Sequence, residues 1–316
     1  LQWIFAHGDV DGISSAALLK FIYPETTIFF SHPHGLYGDI KNNVDPGEDI
    51  FIVDIALDET QWRKLIPLLD EFHNEGSRVV YIDHHILPEN FIEPSFEFYH
   101  NTAMSTAELT YRIYSGRLGV DMSRVALYGA VGDYSDETDY VKWLYNYWDK
   151  RFIYFESGIL TQGLEASRRM YDFKRSIVDE LSKNELPSEN AELVERALQI
   201  TTKEEEMRNY IFKKKIPLEN LTYIIEPNGS LGRAARYAYV YGDTVVGIAI
   251  EYRKELAVMS IRRRKEAVHI NLNSILRRIS PKYGGSGGGH TDAAGARIPR
   301  SRLQEFLEEL DSIITR

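Results

Sequence analysis

Short apolar runs bounded by charged or turn residues recur through the first third of the chain. QWIFAH, TIFFSH, DIFIVDIA and RVVYIDHH are rich in β-branched and aromatic residues and apolar throughout. Such runs are too short for helices, and their lack of alternation predicts parallel strands covered on both faces. Amphipathic stretches separate them. GISSAALLKFIY predicts one helix, and DETQWRKLIPLLDEFHNEG predicts another that stops on glycine. Ser105 and Glu108 in STAELTYRIYSG form a capping-box pattern for the next. The order predicts an α/β fold whose N-terminal domain is a mainly parallel sheet with helices on both faces. Ligands of such sheets gather at the carboxyl ends of the strands.

After about Tyr140 the pattern turns helical and aromatic, from WLYNYWDKRF through RMYDFKRSIVDELSK. The charged, weakly apolar stretch that follows predicts a connecting helix. Strands are then expected at LTYIIEPN, YAYVYGD, TVVGIAIEYR and LAVMSIRRR, a helix at NLNSILRRIS, a glycine-rich loop, and a last amphipathic helix, RSRLQEFLEELDSII. The expected organisation is a domain over residues 1–185, a helical linker over 186–215, and a smaller C-terminal α/β domain over 216–316, across a cleft from the first. A length of 316 residues suits two cores better than one.

Composition narrows the class. Hydrophobic residues at 43% and aromatics at 12% belong to a folded globular chain. The absence of cysteine excludes a disulfide framework and thiolate metal sites, and an intracellular, cytoplasmic setting is the simplest expectation. No apolar run is long enough to span a bilayer and no leader opens the sequence, so no membrane partner is expected. The net charge of −10 argues against a uniformly basic nucleic-acid coat. Glu251 to Arg300 nevertheless holds eleven Lys and Arg against four Asp and Glu, a local excess that matters if it lies beside a site.

Each early apolar run delivers an acid or an imidazole at its end. The first yields His7, Asp9 and Asp11, the third Asp54, and the fourth Asp83, His84 and His85; the helical ALYGAVGDYSD adds Asp133. Taken singly, Asp11-Gly12 fits a turn, Asp54 a helix cap and Asp133 a loop. Adjacent histidines behind a buried strand are harder to explain, because burying an unsatisfied imidazole costs free energy. Oxygen and imidazole donors without thiolate suit manganese or magnesium. Several such groups at one sheet edge can hold a pair of ions. His32 and His34 sit among proline and glycine and read as loop residues.

HGDVDG, the isolated Asp54 in VDIA, DHH and GDY resemble the four ordered motifs of the DHH phosphoesterase superfamily, and GGSGGGHTDAAG is similar to the signature of its associated substrate domain. That superfamily includes RecJ exonucleases, NrnA-type oligoribonucleases, cyclic-dinucleotide phosphodiesterases and family II pyrophosphatases. The resemblance implies that His7 and Asp9 hold one ion, that Asp11, His84 and Asp133 hold the other, and that Asp54 bridges them. Asp83 would support the ligand histidine, and His85 would face the substrate phosphate or the leaving oxygen. His7 stands two residues before Asp9, whereas many members place that histidine four before; strand alternation keeps both spacings on one face. Arg262 in SIRRR, with Gly287, Gly288, Gly289 and His290, would grip the substrate's phosphate or terminal nucleotide. Backbone amides of the glycines and the start of a following helix would supply donors. Ser14, Ser15 and Ser105 stand at predicted helix starts, either as caps or near the metals.

HGDVDGISSAALL is closer to the RecJ pattern than to the NrnA-type one. The implied activity is a manganese-dependent exonuclease, with magnesium or cobalt as substitutes, acting on single-stranded DNA or RNA and short oligonucleotides. A nanoRNase with 3′-phosphoadenosine phosphatase activity and a cyclic-dinucleotide phosphodiesterase are the enzyme alternatives. An inactive nucleic-acid-binding subunit is the non-enzymatic one. Homo-oligomers and DNA repair or replication proteins are compatible partners.

Overall fold

The structure is a computed structural model and describes residues 1–58 and 60–314. The chain divides into two compact units, Leu1–Ile200 and Thr201–Arg316.

The first unit opens with β1 (Gln2–Ala6), α1 (Val10–Ile22), β2 (Thr27–Phe30), α2 (Leu36–Asn43), β3 (Asp49–Val53), α3 (Trp62–Asn74), β4 (Val79–Asp83) and β5 (Glu97–His100). It continues through α4 (Thr106–Leu118), α5 (Ser123–Gly132), α6 (Asp139–Leu144), α7 (Lys150–Ala166) and α8 (Tyr171–Ser182). Its five strands run in the order β2-β1-β3-β4-β5, all parallel. Alternation along each strand feeds two cores. Ile4, Ala6, Phe51, Val53, Val80 and Ile82 face α1, α4, α5, α7 and α8, while Phe5, Ile50, Ile52, Val79 and Tyr81 face α2 and α3. Burial on both sides is why these runs read as continuously apolar. The chain leaves β1 toward β2 on one side and returns to β3 on the other. The carboxyl ends of β1 and β3 therefore flank the point where the winding reverses, the place where open α/β sheets leave a crevice.

Two early expectations need amendment. EFYH forms a fifth strand, β5; its residues are all partly exposed, so it lacks the apolar run that marks the other four. Asp11-Gly12 is no turn. Both residues lie inside α1, whose N-cap is Asp9, accepting from Gly12 N at 3.1 Å. Ser14 and Ser15 are likewise buried within α1 rather than capping it, and their hydroxyls have no hydrogen-bond partner among the described residues.

Helix α9 (Ala191–Lys214) crosses the boundary between the units. The second unit then contains β6 (Ile216–Pro217), β7 (Leu221–Ile225), α10 (Leu231–Gly242), β8 (Val246–Arg253), β9 (Leu256–Arg263), α11 (Leu272–Ile279), β10 (Ser286–Gly289), β11 (Ala293–Pro299) and α12 (Leu303–Ile313). Its six strands run β10-β11-β9-β8-β7-β6, antiparallel except for the β7–β8 pair. One face packs on α11 and α12, the other on α10. YAYVYGD, expected as a strand, is the last part of α10. Its aromatic residues favour β structure locally, but Ala234, Ala235 and Ala238 line up at helical spacing and are buried against Ile224 and Ala249. The glycine-rich segment is not a loop between helices. It forms the edge strand β10, which turns through His290–Asp292 into β11. No helix start follows it. A side chain at Gly287 would come within 2.5 Å of Ser280 Oγ and 3.1 Å of Leu276 Cβ, so glycine lets this strand lie flat on α11.

Among the described residues, no helix is long and apolar enough to cross a membrane.

The start of α1 passes so close to the preceding chain that a Cβ on Gly12 would lie 2.3 Å from the His7 carbonyl oxygen. Gly12→Ala should cost about 1–3 kcal/mol of stability, as overpacking does. Urea denaturation measures it, and an unshifted midpoint would contradict the close approach.

Candidate metal centre

Every strand around the reversal point hands over a polar group as it ends. β1 leads into His7 and Asp9, β3 into Asp54, and β4 ends on Asp83 with His84 and His85 behind it. Asp11 comes from the first turn of α1, and Asp133 is the residue that closes α5. Donor atoms of His7, Asp9 and Asp54 lie within 4.8 Å of one another; so do those of Asp11, His84 and Asp133, and those of Asp54, His84 and His85. His84 Nε2 is 3.5 Å from Asp54 Oδ1 and 4.0 Å from Asp11 Oδ2, and its Nδ1 is 3.7 Å from Asp133 Oδ2. His7 Nδ1 is 2.8 Å from Asp9 Oδ2. Asp54 belongs to two of the three groups. His7 reaches its place from the loop beyond β1, so strand alternation is not what sets its direction.

Local structure explains how the acids are held. Asp54 adopts φ of 59°, a left-handed conformation that costs a non-glycine residue roughly 1–3 kcal/mol. The turn is braced by Asp54 N donating to Ile82 O and by the Tyr81 hydroxyl donating to Ile55 O. The first turn of α4 grips Asp11: Thr106 N donates to Oδ2 at 2.7 Å and Ala107 N to Oδ1 at 2.8 Å. These amides have no partner within their own helix, and the positive helix end favours the carboxylate. Thr106 Oγ1 also donates to Asp54 Oδ1 at 3.1 Å. Ser105 caps α4 by accepting from Glu108 N, but the Glu108 carboxylate goes to Thr138 and Arg112, so only half of the capping box forms.

Electrostatics set the groups apart. Burial drives the Asp54 carboxyl well above the ordinary 3.8, and the charges of Asp9, Asp11 and Asp83 push it further. Burial and the Asp133 charge do the same to Asp11, against the pull of the Ala107 and Thr106 amides. Burial also raises Asp133, with His84 opposing. Asp9 differs. Half of its side chain reaches solvent, although protein atoms crowd it from beneath. That crowding would raise its carboxyl, yet the hydrogen bond and charge of His7 outweigh it and hold Asp9 below the usual range. Burial lowers His84, keeping the imidazole neutral, the form that binds a metal.

Asp83 corrects an expectation. It supports His85, not His84: Asp83 Oδ1 is 2.8 Å from His85 Nδ1, and Oδ2 accepts from His85 N at 3.2 Å. The chain bends back after β4, so the second histidine folds over the carboxylate while the first points to the acids. Burial would lower the His85 imidazole, but Asp83 raises it by more, leaving it above its ordinary value. His32 and His34 lie outside all three donor groups; His32 Nδ1 accepts from Gly35 N, and His34 is 3.8 Å from Asp58.

Three supporting residues escaped sequence reasoning. His100, at the end of β5, lies 2.6 Å from the His85 carbonyl oxygen through Nε2. Its signal was available: FEFYH also ends on an imidazole. Thr106 carried none, because an N1 threonine is ordinary. Lys174 of α8 is buried, and its ammonium donates to the Gly8 carbonyl, between His7 and Asp9. A Cβ on Gly8 would sit 3.2 Å from that nitrogen, so the glycine makes room for it. Burial pushes the Lys174 ammonium down, with Asp9 opposing.

In the second unit, Arg262 lies in β9 between Ala293 of β11 and Gly247 of β8, its guanidinium donating to Ile261 O and close to Gly232 of α10. Among the described residues it has no ion pair, and burial lowers its pKa. Its neighbours are tied down: Arg263 to the Thr291 carbonyl and Arg264 to Asp243 and the Thr244 carbonyl. Gly287 and Gly288 lie in β10 and pair with Ala296 and Gly295. Gly289 donates to Asn273 Oδ1, and His290 is exposed in the turn.

Residues 3–131 match the family model described as the DHH family N-terminal domain, and residues 222–316 match the DHHA1 domain. An uncharacterized protein of Methanocaldococcus jannaschii is 31% identical over 102 residues, covering 32% of this chain and 24% of that relative. The matched part is thus about a quarter of the relative's length. The pGpG-specific phosphodiesterase PggH of Vibrio cholerae superposes with a TM-score of 0.64 at 18% identity, covering 98% of this chain and 97% of that one. A manganese-bound exonuclease RecJ gives 0.64 at 14% identity, over 99% and 89%. These likenesses establish a shared fold.

The raised Asp54 has a consequence for stability. A carboxyl raised in the folded state contributes stability that is full below about pH 3.8 and lost as pH rises through its folded value. Metal-free Asp54→Asn should therefore melt higher than metal-free wild type near pH 7, and the advantage should shrink as the pH falls toward 4. Asparagine also tolerates the left-handed turn. Thermal melts in chelator across pH check this; a variant that melts lower at neutral pH would refute it. Lys174→Met should keep the fold while weakening manganese binding about ten- to a hundredfold, the usual cost of losing a group that orients ligands. Calorimetric titration of manganese reads the loss, and unchanged affinity would remove Lys174 from the centre.

Proposed function

Because this chain joins a DHH family N-terminal domain to a DHHA1 domain, as in the DHH phosphoesterase superfamily, we propose that it is a metal-dependent phosphodiesterase. Within that class we assign a RecJ-like exonuclease that hydrolyses single-stranded DNA or RNA and short oligonucleotides from an end. The observation that carries the reading is the pair of donor groups, His7–Asp9–Asp54 and Asp11–His84–Asp133, at the reversal point of a parallel sheet. The donors fit manganese, with magnesium or cobalt as substitutes: all are carboxylate oxygen or imidazole nitrogen, and the acids are pressed together at a cost that cations relieve. In this reading His7 and Asp9 hold one ion, Asp11, His84 and Asp133 the other, and Asp54 serves both. Such a pair of ions polarises a phosphate and lowers the pKa of water.

The remaining work falls to side chains. Asp83 fixes His85 in orientation, and the raised pKa suits His85 to carry a proton to the leaving oxygen. Among the described residues Arg262 has no ion pair, Asp292 acting on it only through its charge, and its planar fork matches a phosphate. The edge of β10 from Gly287 to Gly289, with His290 at its turn, offers backbone close to a nucleotide without a side chain in the way. Cleavage confined to dinucleotides is the rival within the same chemistry, and an inactive binding subunit the rival outside it. The first is a matter of substrate length. The second runs against the full set of carboxylates.

Incubation with manganese and end-labelled strands, from dinucleotides to long single strands, separates these readings. Progressive shortening of long strands supports the exonuclease, cleavage of dinucleotides alone supports the rival, and binding without cleavage supports the subunit. Arg262→Ala should lower kcat/KM roughly ten- to a hundredfold, the worth of one charge-assisted contact, with manganese affinity unchanged. His84→Ala should instead lose one manganese and nearly all turnover. Loss of manganese by the arginine variant, measured by calorimetry, would overturn this division.

A further inference from the structure

Two apolar side chains stand in water beside the metal-centre residues. Tyr134 follows Asp133 directly and is 87% exposed; Ile86 follows His85 directly and is 74% exposed. Among the described residues, the Tyr134 hydroxyl makes no hydrogen bond and its ring no aromatic contact. Its backbone is equally unusual. Tyr134 N donates to Val131 O at 3.1 Å and Ser135 N to Ala130 O at 2.8 Å, the paired bonds of a Schellman cap closing α5. The first residue past the cap, Tyr134, must then be left-handed, and it has φ of 57°. Glycine is the usual occupant of that position, since it has no Cβ to strain. A bulky ring has been placed there instead, one residue from a candidate ligand, where the fold gains neither packing nor a hydrogen bond from it.

We propose that Tyr134, with Ile86 next to the His84–His85 pair, forms a stacking platform for a nucleobase of the substrate. This rests on the phosphodiesterase reading above and specifies the substrate: a nucleotide diester, not inorganic pyrophosphate or polyphosphate. The chemistry divides cleanly. Carboxylates and imidazoles make a charged floor suited to cations and a phosphate, and the two exposed side chains make an apolar rim suited to a flat, uncharged base. An exposed aromatic face accepts any base, because every base has a π face. An inorganic phosphate chain has nothing to place there. The left-handed backbone holds the ring away from the helix it closes, which is what a platform needs.

The test compares wild type with Tyr134→Gly, Tyr134→Asn and Tyr134→Phe, on a dinucleotide and on the same diester with an abasic sugar at one end. Glycine and asparagine both accept the left-handed turn, so neither should melt below wild type. On the dinucleotide, both should lower kcat/KM by roughly five- to 150-fold, mostly through KM, the range expected for one lost base–aromatic stack. Wild-type preference for the dinucleotide over the abasic diester should vanish in these variants and persist in Tyr134→Phe. A dinucleotide carrying 2-aminopurine adds a readout independent of turnover: stacking quenches its fluorescence on binding, and the quench should be absent from the glycine and asparagine variants. A preference that survives in those variants, or equal quenching by them and wild type, overturns the platform. A wild type that quenches the probe but cuts neither diester contradicts the hydrolytic reading and leaves the platform standing.

Discussion

Repulsion among carboxylates is the constraint around which the first unit is built. Asp9, Asp11, Asp54 and Asp133 converge where the sheet winding reverses, and two of them are fully buried. No packing gain compensates for such a cluster. The fold holds it by spending rigid elements on each acid: the α4 amides on Asp11, a braced left-handed turn on Asp54, and the N-cap position on Asp9. Two apolar cores, one on each face of the sheet, supply the stability that tolerates it. The strain is local and directed. It leaves donor atoms close together and short of positive charge, the condition that favours binding of cations over their absence.

Around that centre the supporting groups form a ring of fixed partners. Asp83 orients His85, His100 contacts the backbone of His85, and Lys174 anchors the loop between His7 and Asp9. None of these is among the candidate donors themselves except His85. A buried lysine whose acceptor is a backbone carbonyl is costly, and its position explains the cost: it fixes the loop on which one donor pair depends. The second unit follows a different logic. Its glycine strand lies flat on α11, and among the described residues Arg262 has no ion pair while Arg264 pairs with Asp243. The arginine reserved from internal pairing is the one suited to an external anion.

Much of this was legible in the residues. Four parallel strands announced themselves because burial on both faces leaves an unbroken apolar run, and three of them, β1, β3 and β4, led into the polar residues that the sheet then gathered. The fifth strand was missed because an edge strand with partly exposed residues has no such run. YAYVYGD misled for the opposite reason: aromatic residues satisfy local β preference, while the alanines that decide for α10 lie partly upstream. The glycine segment looked like a loop because composition does not distinguish a flexible glycine from one pressed against a helix. Asp83 was identified as a support but assigned to the wrong neighbour, since adjacent histidines are equivalent until the chain's bend after β4 is known. Lys174 was invisible, because a lysine some forty positions beyond Asp133 gives no sign of returning to Gly8.

The parallel topology has a kinetic corollary. The candidate donors span residues 7 to 133 and meet only when β1, β3 and β4 are all in register, pairings that are non-local in sequence. Loop closure must precede those pairings, so the centre cannot form before the sheet does. An unfolded chain offers a cation only the short local stretches His7–Asp9–Asp11 and Asp83–His84–His85, not the assembled groups. A divalent ion held by these groups would therefore favour the native state over the unfolded one, and its binding free energy would add to stability by mass action. Through that linkage, the stability of the folded protein would become a function of free metal concentration.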